Sequence, residues 1–578
     1  MSLSRIKLNR LTGQIFGILL SLALLTGCEH ATEGLVYAKK LDGSQNKSML
    51  VGYTGRETDV IISSSVTIIG EGAFVGHQLT NVTIPDSVTT IEDEAFKDNE
   101  LTNLTIPDSV VAIGKGAFSD NKLTSVILPD SLITIEDEAF KDNELTSLTI
   151  PDSVVAIGKG AFSDNKLTSV ILPDSLITIE DEAFKDNELT SLTIPDSVVA
   201  IGKGAFSDNK LTSVILPDSL ITIEDEAFKD NELTSLTIPD SVVAIGKGAF
   251  SDNKLTSVVL PDSVLTIGDK AFSYNQLTSI VFPGSLTTIG DRAFLGNQLT
   301  SLEIPDSVTT IENGAFIDNK LTSVILSGSL NTIGDNVFSF NQLNSVTLPD
   351  SITMIGEMAF GYNQLTSVTL SDSTTIIGDE AFMFNKLNSV ILPDSVVTVG
   401  AWAFHNNKLT SVTLPDSLST IGAGGFNGNA LSTLNNIPSD GFIFARNDDG
   451  TENKRVVVSY GGARRDIVVP DSVTTLGKGA LYGNKLTNVT LPNTLTTIRE
   501  LALSHNELTR VTLPDSVLTI GRRAFDGNKL TSITFPDSVT VIGEEAFTDN
   551  EITSVIIPGS VRTISPWAFD LGVVTKRN

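Results

Sequence analysis

The stretch LTSVILPDSLITIEDEAFKDNE, residues 123–144, decides the architecture, because its frame returns in register every 22 residues. A leucine opens the unit at Leu79, Leu101, Leu123, Leu145 and onward without slippage to Leu431, then at Leu486, Leu508 and Leu530, with Ile552 in the last register. The first six residues alternate, so that Leu123, Val126 and Leu128 turn inward while Ser125 and Ile127 turn outward, as in a short strand. Pro129 ends that strand, since proline cannot donate to a ladder. Leu132, Ile135 and the pair Ala139-Phe140 supply the other core positions, and Asn143 closes the unit. A single unit leaves an apolar edge that only its neighbour covers, so about 22 copies imply a stacked solenoid.

The composition agrees with one small unit used many times. Among 578 residues there are 2 Trp, 5 Met, 4 His and 1 Cys, against 45 Gly. The 69 acidic and 39 basic side chains give a net charge of −30, which argues against nucleic acid as a partner, because phosphate backbones demand clustered Lys and Arg. One cysteine excludes an internal disulfide and any CxxC metal site, and four scattered histidines leave little for a zinc centre.

The frame LxxVxLPxSLxxIxxxAFxxN resembles the leucine-rich repeat of the BspA-like, Treponema-type class of bacterial surface proteins, over roughly residues 50–578. The resemblance implies a leucine-rich-repeat solenoid with a parallel β-sheet on one face and short turns or 3-10/helical segments on the other. It also implies cell-surface adhesion or protein binding, without a specific ligand. Where many members carry Cys near the end of the unit, this chain has Asn99, Asn121, Asn143 and their successors. A buried asparagine column can bond the backbone of adjacent turns.

The amino terminus reads as an address. Arg5, Lys7 and Arg10 precede an apolar run, residues 11–24, which is shorter than the roughly 20 residues that span a bilayer. Leu25, Thr26, Gly27 and Cys28 follow and resemble the lipobox of bacterial lipoproteins, which makes Cys28 the site of lipid attachment. Residues 1–27 are then a signal peptide, and the expected location is the cell envelope, anchored through lipid. Glu29, in place of the Asp associated with inner-membrane retention, favours the outer membrane, with surface exposure as a further expectation.

Two internal regularities stand out. Residues 145–188 and 189–232 are identical, so the unit of duplication is 44 residues, in which IEDEAFKDNE alternates with IGKGAFSDNK. Asp93, Lys115, Asp137 and Lys159 therefore alternate in sign along one column, and Glu100, Lys122, Glu144 and Lys166 along another, which predicts exposed ion-pair ladders. Two acidic columns do not alternate, one with Asp98, Asp120, Asp142 and Asp164, the other with Asp86, Asp108 and Asp130 in Pro-Asp-Ser turns. Stacked carboxylates suit calcium, but solvated turns and caps explain both columns more simply; no cofactor is expected. Separately, residues 34–66 align without gaps on residues 441–473 with 12 of 33 positions identical, each with an Asp-Gly pair typical of a tight hairpin. The expected organisation is a lipidated terminus and capping hairpin at 28–66, a long array at 67–437, a second capping hairpin or insertion at 438–473, and a short array at 474–578. The second hairpin begins a separate module or interrupts one continuous stack.

For ligand binding, the outward strand positions Thr124, Ser125, Thr146, Ser147 and Thr149 form a monotonous hydroxyl-rich face that suits weak, repeated contacts with a polysaccharide or a purely structural role. A selective protein site is sought instead in the varied repeats after about residue 270, at Tyr274, Tyr362, Phe384 and Trp402. Trp402 with His405, and Trp567, read as end or core packing. No catalytic constellation emerges: GxSxG is absent, and His405 and His505 are four to five repeats apart along the stack. The expected function is an adhesin or protein- or glycan-binding surface, the alternative a structural spacer or periplasmic scaffold.

Overall fold

The computed structural model describes residues 31–447 and 449–577, so the leader, Leu25, Thr26, Gly27 and Cys28 lie outside the described residues. The chain divides into two units, residues 1–198 and 199–578. Among the described residues every regular element is a strand, and the 3-10 or helical segments admitted as an alternative to turns do not occur. No helix there is long and apolar enough to cross a membrane.

Most turns contribute two strands where the sequence predicts one, and those opening at Leu277, Leu508 and Leu530 keep only the second. The predicted strand is present, as Asn103–Thr105, Ser125–Ile127, Ser147–Thr149 and Ser169–Ile171 in the first unit. The second strand is a dipeptide, such as Thr134–Ile135, which pairs in parallel with Ala156–Ile157. These dipeptides form the longer sheets: Ile68–Ile69 to Thr178–Ile179 in the first unit, and Ala200–Ile201 to Thr310–Ile311 in the second. The three-residue strands pair only in twos, Asn103–Thr105 with Ser125–Ile127 and Ser147–Thr149 with Ser169–Ile171. Thr124 N–H lies 2.9 Å from Thr102 O within a pair, whereas Thr146 N–H lies 3.4 Å from Thr124 O between pairs. The 44-residue duplication is thus also the hydrogen-bonding unit of that face.

The core follows the sequence reading. Leu123, Leu132, Ala139 and Phe140 are buried. Phe74, Phe96, Phe118, Phe140, Phe162 and Phe184 stack with ring centroids 5.1–5.5 Å apart. Removing a side chain of this size from water stabilises each turn by roughly 1.5–3 kcal/mol. Between the rings and the surface runs the asparagine column. Asn143 Oδ1 accepts the Leu123 N–H at 3.0 Å, while its Nδ2 donates to Phe118 O at 2.9 Å and Phe140 O at 3.2 Å. The side chain therefore joins two turns through backbone groups that no strand pairs.

Two expectations about polar columns need correction. Glu100 pairs with Lys122, and Glu144 with Lys166 at 2.9 Å, but as separate couples, one per doublet, each joining the last residue of one block to the next block. In the other column Asp93 and Asp137 each accept the backbone N–H of Lys115 and Lys159, both at 2.9 Å, because that amide lies closer than the ammonium. In the Pro-Asp-Ser turns Ser131 Oγ donates to Val110 O of the preceding turn at 2.7 Å rather than capping its own. The turn itself is closed by Leu132 N–H on Pro129 O.

Both hairpins form. Leu35–Lys39 pairs antiparallel with Gln45–Tyr53, and Phe442–Arg446 with Glu452–Tyr460, with register shifts at corresponding places. Gly43 and Gly450 both sit at φ 81°, the left-handed conformation that a tight turn asks of glycine. Each long strand then extends the dipeptide sheet: Leu50 pairs with Ile69, and Val457 with Leu476. In the second unit Gly424 N–H donates to Val458 O on the other side of that strand, at 2.9 Å. Away from the sheet, Asn427 Nδ2 donates directly to Gly479 O at 2.8 Å and Tyr482 O at 3.1 Å. The hairpin occupies a place in the sheet, while the flanking turns meet each other on the asparagine side.

Candidate functional site

The turns from Phe74 to Phe547 bend twice through left-handed φ around their buried Phe or Leu, as at Glu94 and Asp98, Gly116 and Asp120, Glu138 and Asp142, Gly160 and Asp164. Gly, Asp and Asn tolerate that region, which explains the unbroken Asp column. The same column in the second unit holds Tyr274, Phe340, Tyr362 and Phe384, at φ 50–56°. A bulky side chain there costs about 1–2 kcal/mol. All four are exposed, by 54%, 45%, 37% and 38% respectively.

Three of them form a ladder. Phe340 and Tyr362 stack with centroids 4.5 Å apart at 9°, and Tyr362 and Phe384 at 4.7 Å and 20°. The line continues through His405, 5.7 Å from Phe384 and edge-on to it. Tyr482 follows at 6.1 Å from His405, and His505 at 5.1 Å from Tyr482. The direct bonds of Asn427 to the turn of Tyr482 make this continuity possible, so His405 and His505 share one strip with only Tyr482 between them. Sequence reasoning found Tyr362 and Phe384 but missed Phe340, which hides beside the core residue Phe338 in a chain of 27 phenylalanines. Its signal was the column: an aromatic residue where earlier copies carry Asp.

Trp402 and His405 behave partly as expected. His405 is buried, and burial lowers its pKa from 6.5 to about 4. Trp402 stands at φ 52° and lies against Gly424 and Gly479, where a Cβ on Gly424 would meet the indole at 2.8 Å. Among the described residues Trp402 Nε1 and His405 Nδ1 have no hydrogen-bond partner. Trp567 departs from the packing expectation: it is 58% exposed.

The other candidates are placed as follows. Thr124, Ser125, Thr146, Ser147 and Thr149 all face solvent. Two of their hydroxyls are engaged, Thr124 Oγ1 donating to Thr102 O at 3.2 Å and Ser125 Oγ to Asn103 Oδ1 at 3.3 Å. Neighbouring Ile127 is 67% exposed, so the face is as much apolar as hydroxylic. In the Asp98, Asp120, Asp142 and Asp164 column, Lys141 Nζ lies 4.0 Å from Asp142 and 3.8 Å from Asp164, the place a cation would take. Burial, and then Asp164, raise the Asp142 pKa. Among the described residues no group of three or more His, Cys, Asp or Glu side chains is disposed to hold an ion.

Comparison with known proteins identifies the repeat. The model for the BspA type leucine rich repeat region (6 copies) matches residues 53–166, 133–256, 243–366, 353–442 and 460–571. Among solved structures, a leucine-rich repeat protein from Bacteroides ovatus is 26% identical over 67% of this chain and 92% of its own, with a TM-score of 0.38. A leucine rich cell surface protein from Faecalibacterium prausnitzii is 23% identical over 68% and 95%, with a TM-score of 0.32. The pneumococcal vaccine antigen PcpA is 22% identical over 62% and 81%, with a TM-score of 0.39. No curated protein matches the chain. The matched model covers most of the sequence, and its repeat frame is the one whose leucines, Ala-Phe pair and asparagine build every turn: the chain belongs to the BspA-type leucine-rich-repeat family.

Proposed function

We propose that the protein is a lipid-anchored envelope protein that binds a protein partner, in the manner of an adhesin, through the strip Phe340, Tyr362 and Phe384. The observation that carries this reading is strain retained at an exposed place. Three aromatic side chains hold a conformation that costs each about 1–2 kcal/mol, in a column where Gly, Asp and Asn fold without that cost. Stacking offsets part of it, at about 0.5–1.5 kcal/mol per pair. Aromatic rings are also the residues that dominate protein interfaces. The stacking favours protein over polysaccharide: with centroids 4.5–4.7 Å apart the facing sides of the rings cover one another, and both faces of Tyr362 are taken. Sugars stack on free faces.

The alternative, a structural spacer, is favoured by the identical doublets 145–188 and 189–232, which add length without new surface. Retention of cells on immobilised matrix proteins separates the readings. Replacing Phe340, Tyr362 and Phe384 together by Asn should abolish retention, and deleting residues 189–232 should leave it intact; the reverse pattern selects the spacer. The anchor rests on the Leu25-Thr26-Gly27-Cys28 motif. Cys28→Ala should release the protein from membranes, and firm attachment of the processed variant would overturn that part.

A further inference from the structure

The aromatic column does not end in bulk solvent at Phe384. Its next three members are Asn406, Gly428 and Gly483, and there the surface sinks into a cleft of about 250 Å³. Its rim carries Arg465 and Lys485, and its floor is glycine because the turns at Gly428 and Gly483 and the hairpin end at Gly462 converge on it. The cleft exists because two arrays meet around a hairpin; no ordinary turn supplies these neighbours.

The charge at this place runs against the rest of the chain. Residues 441–578 carry fifteen basic and fifteen acidic side chains, so the whole net charge of −30 belongs to residues 1–440. Arg465 is held in place, its Nε–H donating to Lys485 O at 2.8 Å and its NH2 lying 2.7 Å from Glu507. Among the described residues Lys485 has no carboxylate at ion-pair distance. It stands at φ 55°, in the position that Gln78 occupies at φ 57° after the first hairpin. Arg465 likewise replaces Thr58, and both residues accept from the strand that follows, Thr80 N–H on Thr58 O and Thr487 N–H on Arg465 O, each at 2.7 Å. The two hairpins share their geometry, and the cations are what the second adds.

We infer that this cleft binds a carboxylate of the partner, held by Lys485 and the free N–H groups of Arg465 with Asn406 beside them. The partner segment is acidic and apolar, its apolar side chains lying along Phe340, Tyr362 and Phe384. A guanidinium and an ammonium converging on one small cleft match a carboxylate. A carboxylate meets net negative charge along the first array and none in the neutral second one, so the acidic end of the segment seats in the cleft while its apolar side chains reach back to the strip. The inference rests on the reading of the strip as a protein-binding surface, and acidic glycan is its competitor.

The test uses fluorescence anisotropy of the full chain with three probes: a decapeptide of alternating Leu and Glu, its Leu-Gln counterpart, and a hexagalacturonate. The variant Lys485→Gln/Arg465→Thr installs the residues the chain itself carries at Gln78 and Thr58, so its fold is preserved. The Leu-Glu peptide should bind at least tenfold more tightly than the Leu-Gln peptide, and the double variant should erase that difference. The strip variant with three Asn should weaken both peptides. Loss of binding in the strip variant with no change in the cleft variant would overturn the carboxylate site and leave the protein-binding reading standing. Tighter binding of hexagalacturonate than of either peptide, or no binding of any probe, would overturn both.

Discussion

Replacing Asn363 by Ala tests whether the asparagine column holds neighbouring turns together, and the structure sets the size of the effect. Asn363 Oδ1 accepts the Leu343 N–H at 2.9 Å, and its Nδ2 donates to Phe338 O at 2.8 Å and to Phe360 O and Gly361 O at 3.2 Å. The carbonyls keep other donors: Asn341 on Phe338 O, Asn385 on Phe360 O and the Phe340 N–H on Gly361 O. Truncation therefore orphans one buried group, the Leu343 N–H, at a cost of about 1–3 kcal/mol, to which the small cavity adds. Because a solenoid opens turn by turn, the loss should appear locally. Hydrogen exchange read by mass spectrometry on the peptide around Leu343, whose sequence is unique in the chain, should quicken by roughly 30- to 150-fold, for about 2–3 kcal/mol. Asn363→Asp should be worse than Ala at neutral pH, since it restores the acceptor but aims a buried charge at carbonyl oxygens. Acceleration below threefold, or an equal change along the whole chain, would refute the argument.

Other expectations concern the strip, the junction and the last turn. Each aromatic-to-Asn change at Phe340, Tyr362 or Phe384 should leave thermal stability unchanged within about 1 kcal/mol, because released strain offsets lost stacking; a loss above about 3 kcal/mol would mean the ladder is structural. His405 is neutral in the folded chain, with a pKa near 4 against 6.5 when unfolded, so the unfolded state binds more protons between those values. Stability of the junction is then full above pH 6.5 and falls as pH drops towards 4, by on the order of 3 kcal/mol; Trp402 fluorescence in a Trp567→Phe background should follow it, and His405→Gln should flatten the profile. Asp570 accepts the N–H groups of Asp549 at 3.0 Å and Asn550 at 3.1 Å, where the matching amides Asp98 and Asn99 donate to the backbone carbonyls of Ser119 and Asp120. Asp570→Ala should fray the last turn, seen as faster exchange confined to residues near 550, by roughly 1–2 kcal/mol; unchanged exchange there would remove the cap from the account.

Much of the solenoid was legible because it rests on side chains repeated in register. The leucines, the Ala-Phe pair and Asn143 announce the core, the stacking and the inter-turn bonds, and the Asp-Gly pairs announce the hairpins. The dipeptide strand at Thr134–Ile135 was not legible, because two residues cannot display an alternation and the strand exists only through bonds to other turns. The left-handed columns escaped for a related reason: Asp98 and Gly116 look like surface filler until their φ angles are known. The same blindness hid Phe340, and it made the Asp93 column look like an ion-pair ladder when its carboxylates reach for backbone amides.

The pairing of three-residue strands in twos has a consequence for how such a gene changes. Asn103–Thr105 bonds to Ser125–Ile127, and the couple Glu100 with Lys122 recurs with the same 44-residue period as Glu144 with Lys166. Loss of a single 22-residue copy would set like strand beside like strand and glutamate beside glutamate, whereas loss or gain of 44 restores every partner. Recombination that slips by an even number of copies is thus silent to the fold, and slips by an odd number are exposed to selection. The length of the array should drift in steps of two, as the identical blocks at 145–188 and 189–232 already record.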